Sequence, residues 1–374
     1  MRKIVVIGAG LIGTSIALGA KRSGYEVELI DQDGRAQALA NDLLANSLGS
    51  SNSSNSSNSS DSSDSSSKSV ARLVEPDLVV IATPTSALKV VLDRFSNLYP
   101  NSTFIDIGST KTKVQLDIEG TPDLERRFCP THPMAGRELD GAEAAQSDLF
   151  VGKSWVITPL SQTSEESIAL AKNLIEDLGA RVIEMEVREH DQAVALISHL
   201  PQIIASLLAS QFSHLPNENR RYLDLAGSGV MDTTRIAASS SNLWVEILQL
   251  NREAVTELLK DFQKDLSTLI ENFDVKKVLE EGRAGRHLLP GKHRSSTREY
   301  TFLPVVVDDK PNQLALLFNE CAKADVNVED IKIEHSPEQE TGLVLLALSA
   351  NNAKILQKHL LSAGWRVHPP RLEI

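Results

Sequence analysis

Four stretches of the chain hold side chains suited to chemistry. His132 lies in FCPTHPMAGRELDG (128–141), fixed between Thr131 and Pro133 in a stretch too irregular for helix or strand. A histidine held this way can act as a general base, since it changes charge near neutrality and a positioned imidazole contributes roughly 10²–10⁴-fold. It can equally be a structural loop residue. Ser109, in FIDIGSTKTKV (104–114), directly follows a strand-like run, where open parallel sheets place their ligands. A helix cap is its other reading. Arg235 follows Gly227 and Gly229 in LAGSGVMDTTRIAASSSNLW (225–244). Its guanidinium can hold a carboxylate bidentately, or pair with Asp232 or Glu246. His190 and His199, in REHDQAVALISHLPQ (188–202), are nine residues apart with no third ligand at metal spacing, so no metal is expected. His190–Asp191 at a helix start fits capping as well as catalysis.

The element that must position these groups opens the chain. KIVVIGAGLIGTSIALGAKRSGYEVELIDQD reads as strand, Gly-rich turn, helix and second strand. In G-x-G-x-x-G, Gly8 permits the tight turn, Gly10 lets backbone approach a pyrophosphate, and Gly13 lets helix pack on strand. Leu11 and Ile12 join the cofactor-binding set, and the helix Thr14–Arg22 that follows would turn its free N–H groups and dipole toward the phosphates. Asp31 ends the second strand, 18 residues past Gly13. There a carboxylate can accept both ribose hydroxyls and would repel a 2′-phosphate, favouring NAD over NADP. Thr83, just after the strand Leu78–Ala82, joins the cofactor-binding set.

Further α/β alternation to Glu186 predicts a Rossmann-type doubly wound parallel sheet over 1–187. From 188 to 281 strand signals vanish and amphipathic helices replace them. Leu243, Ile247, Leu250, Ala254, Leu258 and Phe262 mark a face expected to be buried, and helices of this kind often supply a dimer interface. Residues 282–300 are rich in Gly, Pro and cations and read as a linker. The tail, 301–374, gives β-α-β-β-α-β, a ferredoxin-like regulatory arrangement. Within the first domain SSNSSNSSNSSDSSDSSS (50–67) holds 13 serines in 18 positions. Its composition cannot offset the cost of ordering, so 49–69 is expected to be a disordered insertion. It follows a helix at Arg35–Asn46 and precedes a short helix at Val70–Val74. No base or G-x-S-x-G frame accompanies these serines, which removes a nucleophile reading.

Composition limits the partners. With 374 residues, 41 % hydrophobic and 24 % charged, the chain is ordinary for a globular protein. A net charge of −12 argues against nucleic acid or anionic membrane. Strand-like residues start at Lys3, no signal peptide is expected, and runs such as LVVIAT are too short to span a bilayer. Cys129 and Cys321 are expected to be buried thiols in a reducing cytoplasm.

GAGLIG, DIGSTK, HPMAGRE, HD…SHLPQ and DTTRIA…LW…NRE occur in an order that closely resembles prephenate/arogenate dehydrogenases, NAD(P)-dependent enzymes of tyrosine biosynthesis. The tail, DKPNQLALLF…NVEDIKIEHS…GLVLLAL, resembles an ACT domain, which implies an amino-acid effector such as tyrosine. The resemblance implies His132 as the catalytic base at the substrate's C4 hydroxyl and Ser109 as the residue that orients it beside the nicotinamide. It implies Arg235 as the clamp on the side-chain carboxylate, and His199 and Glu138 as pocket residues. Gln202 stands where many members carry a second His, and Asn312 where a Gly is common at the ACT ligand turn. The left-handed conformation is open to Asn. The expected function is NAD-dependent oxidative decarboxylation of prephenate to 4-hydroxyphenylpyruvate by a cytoplasmic homodimer. Arogenate dehydrogenase is the alternative, and a non-catalytic NAD and amino-acid sensor a distant one. A 3-hydroxyacid dehydrogenase would be expected to place a Lys on the helix 191–212, which has none.

Overall fold

The computed structural model describes residues 2–46, 75–136, 141–289, 300–335 and 341–372. The serine-rich insertion, the expected helix at 70–74 and Glu138 lie outside the described residues. The chain divides into two compact units, Met1–Ser267 and Thr268–Ile374.

The first unit opens with β1 (Lys3–Ile7), α1 (Leu11–Arg22), β2 (Glu26–Ile30) and α2 (Gly34–Asn46). Then come β3 (Leu78–Ile81), α3 (Leu88–Leu98), β4 (Thr103–Asp106), α4 (Thr112–Ile118), α5 (Pro122–Arg127) and β5 (Phe128–Cys129). These strands form one parallel sheet in the order β2-β1-β3-β4-β5. β1, β3 and β4 are almost wholly buried because apolar clusters cover both sheet faces, which is why they read as unbroken apolar runs. The order is that of a dinucleotide-binding sheet, with β2 at the edge among the described strands. β3 pairs directly with β1 from Ile4–Leu78 to Ile7–Ile81, so the sheet closes without the 28 positions between α2 and Glu75.

A second, three-stranded sheet follows: β6 (Thr131–Pro133), β7 (Ser154–Ile157), α6 (Glu165–Asp177) and β8 (Arg181–Glu184) in the order β6-β7-β8. His132 is therefore in a strand, antiparallel to β7 opposite Val156, and not in a loop. Three residues ended by Pro133 are too few to display an alternating pattern.

The helical part contains α7 (Val187–Val194), a π-helical turn (Ala195–His199), α8 (Leu200–Ser213), α9 (Ser228–Thr234), α10 (Ser241–Leu250) and α11 (Arg252–Asn272). Its expected apolar face is half open in the single chain, with Leu243 50 % and Phe262 42 % exposed. Val187–Ser213 forms one helical rod long and apolar enough to cross a membrane by length and composition, contrary to the sequence expectation. Its His190, Asp191, His199 and Gln202 are all buried.

In the second unit α12 (Val275–Leu288) precedes β9 (Thr301–Asp308), α13 (Gln313–Lys323), β10 (Asp330–His335), β11 (Thr341–Leu348), α14 (Ala350–Ser362), β12 (Arg366–Val367) and β13 (Arg371–Leu372). Residues 282–288, expected to open a linker, are thus helical. Every residue of α12 is exposed, and it is the two glycines, Gly282 and Gly285, and the cations of its second half that read as a linker. The sheet is antiparallel in the order β10-β11-β9-β12, with β13 also on β9, a ferredoxin-like arrangement. α13 and α14 bury Leu317, Leu356 and Leu360 against Leu303, Val305 and Leu346. Asn312 adopts φ +75°, the left-handed region, immediately before α13.

Candidate active site

The Gly-rich turn has the form a dinucleotide needs. Gly8 sits at φ +115°, and a Cβ there would lie 2.4 Å from the Ala82 carbonyl oxygen. At Gly13 a Cβ would lie 2.0 Å from the Gly8 carbonyl oxygen, so helix and turn can approach only without a side chain. A Cβ at Gly10 meets nothing within 4 Å, which leaves open space at the start of α1. Asp31 is held at this turn by the Ala9 N–H, donating to Oδ2 at 2.6 Å, and the Asp33 N–H, donating to Oδ1 at 2.8 Å. The buried hydroxyls of Thr83 and Thr110 have no hydrogen-bond partner among the described residues and line the adjoining pocket. Polar groups buried in this way require a partner. These features fit NAD.

That pocket, about 440 Å³, runs from Gly10, Leu11 and Ile12 past Thr83 to Ser109 and His132, and is closed by Leu243, Glu246, Ile247 and Leu250 of α10. The Ser86 N–H donates to Glu246 Oε1 at 2.8 Å, joining α10 to the loop after β3. Glu246 is the one formally charged side chain among the described lining residues.

His132 is set by a line of buried groups. Its Nδ1 lies 2.9 Å from His190 Nε2, and His190 Nδ1 lies 2.8 Å from Asp191 Oδ1. Asp191 also accepts the N–H groups of Lys111 and Thr112 at the start of α4, each at 2.8 Å. Burial pushes the Asp191 carboxyl up, but hydrogen bonds from His190, Thr112 and Lys111 outweigh it and hold the group at about 2. Burial, with His190 and Lys111 nearby, holds His132 well below its ordinary value. Beneath this line, Asp106 at the end of β4 accepts from Lys111 Nζ (2.5 Å), Gly108 N (2.8 Å) and Thr131 N (3.0 Å). One carboxylate thereby fixes the turn that carries Ser109 and the strand that carries His132.

The structure brings Gly10, Leu11, Ile12, Thr83, Ser109 and His132 together on one pocket; Gly8, Gly13 and Asp31 shape the turn behind it. The hydrogen-bond partner of His132 among the described residues is His190, whereas Ser109 was expected to orient it. His199 is buried behind the pocket and is not part of its lining. Its Nδ1 lies 3.1 Å from Asn251 Nδ2, its ring stands edge-on to Trp244, and burial holds it down at about 4. Gln202 is likewise buried, donating to the Ile236 carbonyl at 3.0 Å. Arg235 lies exposed on the 3₁₀ turn Arg235–Ala238, outside the described lining. The expected cation is therefore absent from the described lining of this pocket. His190, Asp106, Lys111, Asn251 and Glu246 were not singled out from sequence as site residues; only the adjacent His190–Asp191 pair gave a signal.

Residues 48–184 match the nucleotide-binding domain of prephenate dehydrogenases, and 186–281 match that family's dimerization domain. Residues 3–86 also match the NAD-binding domain of 3-hydroxyacyl-CoA dehydrogenases. The prephenate dehydrogenase of Bacillus subtilis is 27 % identical over 358 residues, covering 93 % of this chain and 92 % of its own. The structure of Aquifex aeolicus prephenate dehydrogenase in complex with hydroxyphenyl propionate and NAD⁺ superposes with TM-score 0.64 at 26 % identity, covering 76 % of this chain and 97 % of that one. Synechocystis arogenate dehydrogenase superposes with TM-score 0.59 at 26 % identity, covering 76 % and 99 %.

Proposed function

The chain belongs to the prephenate dehydrogenase family and is an NAD-dependent oxidoreductase, and on that premise we propose that it converts prephenate to 4-hydroxyphenylpyruvate in tyrosine biosynthesis. The observation that carries this reading is the single pocket in which the Gly10–Ile12 turn meets Ser109 and His132. His132 accepts the proton of the C4 hydroxyl, as C4 gives up its hydride and the ring carboxylate leaves as CO₂. NAD, when bound, takes the hydride. Aromatisation of the ring makes the step effectively irreversible, so the protein has mainly to orient the reactants and move one proton. Ser109, on the same wall, steadies the hydroxyl and the cofactor's reactive ring. Gly8, Gly10, Leu11, Ile12, Gly13, Thr83 and Asp31 form the NAD cradle, and Asp31 sets the preference for NAD over NADP. Arg235 is read as the residue that reaches the substrate's side-chain carboxylate from its exposed turn.

Residues 1–187 form the nucleotide domain and 188–281 the substrate and dimerisation domain in this reading. The exposed Leu196, Ile197, Leu207 and Leu243 favour pairing of two copies over contact with lipid. The module from 301 onward is read as ACT-like and tyrosine as its effector, supported by its strand order and the left-handed Asn312. A cytoplasmic location accords with two buried, free thiols.

One observation favours a second substrate. Arogenate carries an ammonium where prephenate has a keto group, and Glu246 offers the pocket a carboxylate. Comparing kcat/KM for prephenate and arogenate, with NAD and with NADP, decides between them. Prephenate with NAD is expected to be preferred. A preference for arogenate that disappears in Glu246→Gln would establish the second reading.

A further inference from the structure

The line Asp191–His190–His132 assigns every proton along it. Asp191 is ionised and already accepts two backbone N–H groups, so it can only accept from His190 Nδ1. A His190 that carries its proton on Nδ1 alone presents the lone pair of Nε2. The 2.9 Å contact to His132 then requires His132 Nδ1–H to donate, which leaves His132 Nε2 unprotonated on a ring that lines the pocket. Asn251 holds the other end of the line, donating from Nδ2 to the Asp191 carbonyl at 2.7 Å.

We propose that Asp191 and His190 are positioning residues that fix the reactive tautomer of His132 and then take over the charge it acquires. When the substrate hydroxyl gives its proton to His132 Nε2, the Nδ1 proton of His132 passes to His190 Nε2. His132 ends neutral with its tautomer exchanged, and His190 becomes an imidazolium whose Nδ1–H still faces the Asp191 carboxylate. The positive charge thus rests against a buried anion instead of beside the pocket. As the ring becomes aromatic its oxygen carries the negative charge, and the proton returns by the same path in reverse, from His132 Nε2 to that oxygen, so that the product leaves as the phenol. Ionisable groups around His132 come from three elements: Lys111 and Asp106 from the β4–α4 turn, His190 and Asp191 from α7, and His199 from the π turn. Glu246 of α10 lines the same pocket. Asp106 neutralises Lys111, so Asp191 is the carboxylate left to receive the charge.

This inference rests on His132 being the base, and the two are tested separately. Nitrogen-15 NMR of the histidine-labelled full chain with NAD bound reads the tautomers without turnover, with His132→Asn and His190→Gln spectra giving the assignments. His132 protonated at Nδ1 and bare at Nε2 is expected; the reverse overturns the proposal. Asp191→Asn should scramble that tautomer and lower kcat by about 10²-fold or more with little change in KM. His190→Gln keeps an acceptor for His132 and a donor for Asp191, yet cannot hold a proton. It should retain the tautomer, lower kcat roughly tenfold or more, and move the acid limb of kcat/KM to lower pH. A wild-type pH profile in this variant, or a loss confined to KM, overturns the transfer of charge. His132→Asn at full turnover would instead remove the base itself.

Discussion

At the residue scale, burial decides the chemistry of the histidines. His199 is held at about 4 and His132 well below its ordinary value, both chiefly because burial disfavours the cation. Histidines in the unfolded chain titrate near about 6.5. Between about 6.5 and about 4 the unfolded chain therefore binds more protons than the folded one, and stability falls as pH falls through that window. Asp191, held at about 2, adds its own loss only below the ordinary carboxylate range. The urea midpoint of the full chain is expected to drop from pH 7 to pH 5, and to drop less in His199→Gln. A midpoint that is flat or rises toward pH 5 contradicts the burial of neutral histidines. The sequence made His132 and Ser109 visible because each sits in a short, unusual frame, the Pro-Thr-His-Pro run in one case and a strand-ending Gly-Ser in the other. It left His190 undecided, since a His-Asp pair at a helix start also caps. Only the fold, by bringing α7 against the start of α4, gives that pair its two backbone donors and its neighbour. Lys111 escaped notice because a lysine is almost never fully buried unless paired, and its partner Asp106 could not be assigned from spacing.

At the element scale, the β1–turn–α1 unit was legible in full because each glycine answers a separate steric demand. The structure separates those demands. Gly10→Ala places its Cβ in open space at an ordinary φ, so the apoprotein should melt as before while NAD binding weakens. Gly13→Ala drives a Cβ into the Gly8 carbonyl, so it should lose NAD binding and also roughly 1–3 kcal/mol of stability. Thermal melts with and without NAD distinguish the two. Equal destabilisation by both, or unimpaired NAD affinity in Gly10→Ala, counts against this division of roles. Short or Gly-interrupted elements were harder to read: β6 is three residues long, and α12 carries Gly282 and Gly285 in its second half. The face of α10 and α11 was recognised as apolar, but periodicity cannot distinguish a face buried within one chain from a face kept for a second copy.

At the scale of the whole molecule, the sheet explains why a serine-rich run can interrupt a nucleotide-binding domain. β1 pairs with β3 directly, and β2 is the edge strand among those described, so no pairing of a described strand depends on the run. Deleting residues 50–67 is therefore expected to leave NAD affinity, turnover and the sedimenting mass unchanged. Loss of turnover or a change in mass beyond that of the deleted residues would show that the run supports the fold. Domain order and class were readable because each domain carries its own period: continuous apolar strands, then helical repeats, then β-α-β-β-α-β. The separation of Arg235, His199 and Gln202 from the pocket was not readable, since it depends on how helices far apart in sequence lie in space. The most direct measurement is stoichiometric: NADH and CO₂ formed when prephenate is added to the full chain with NAD, alongside His132→Asn. One NADH per CO₂ is expected, with turnover reduced roughly 10²-fold or more in the variant. No NADH from either prephenate or arogenate, or an unimpaired His132→Asn, would contradict a dehydrogenase built around His132.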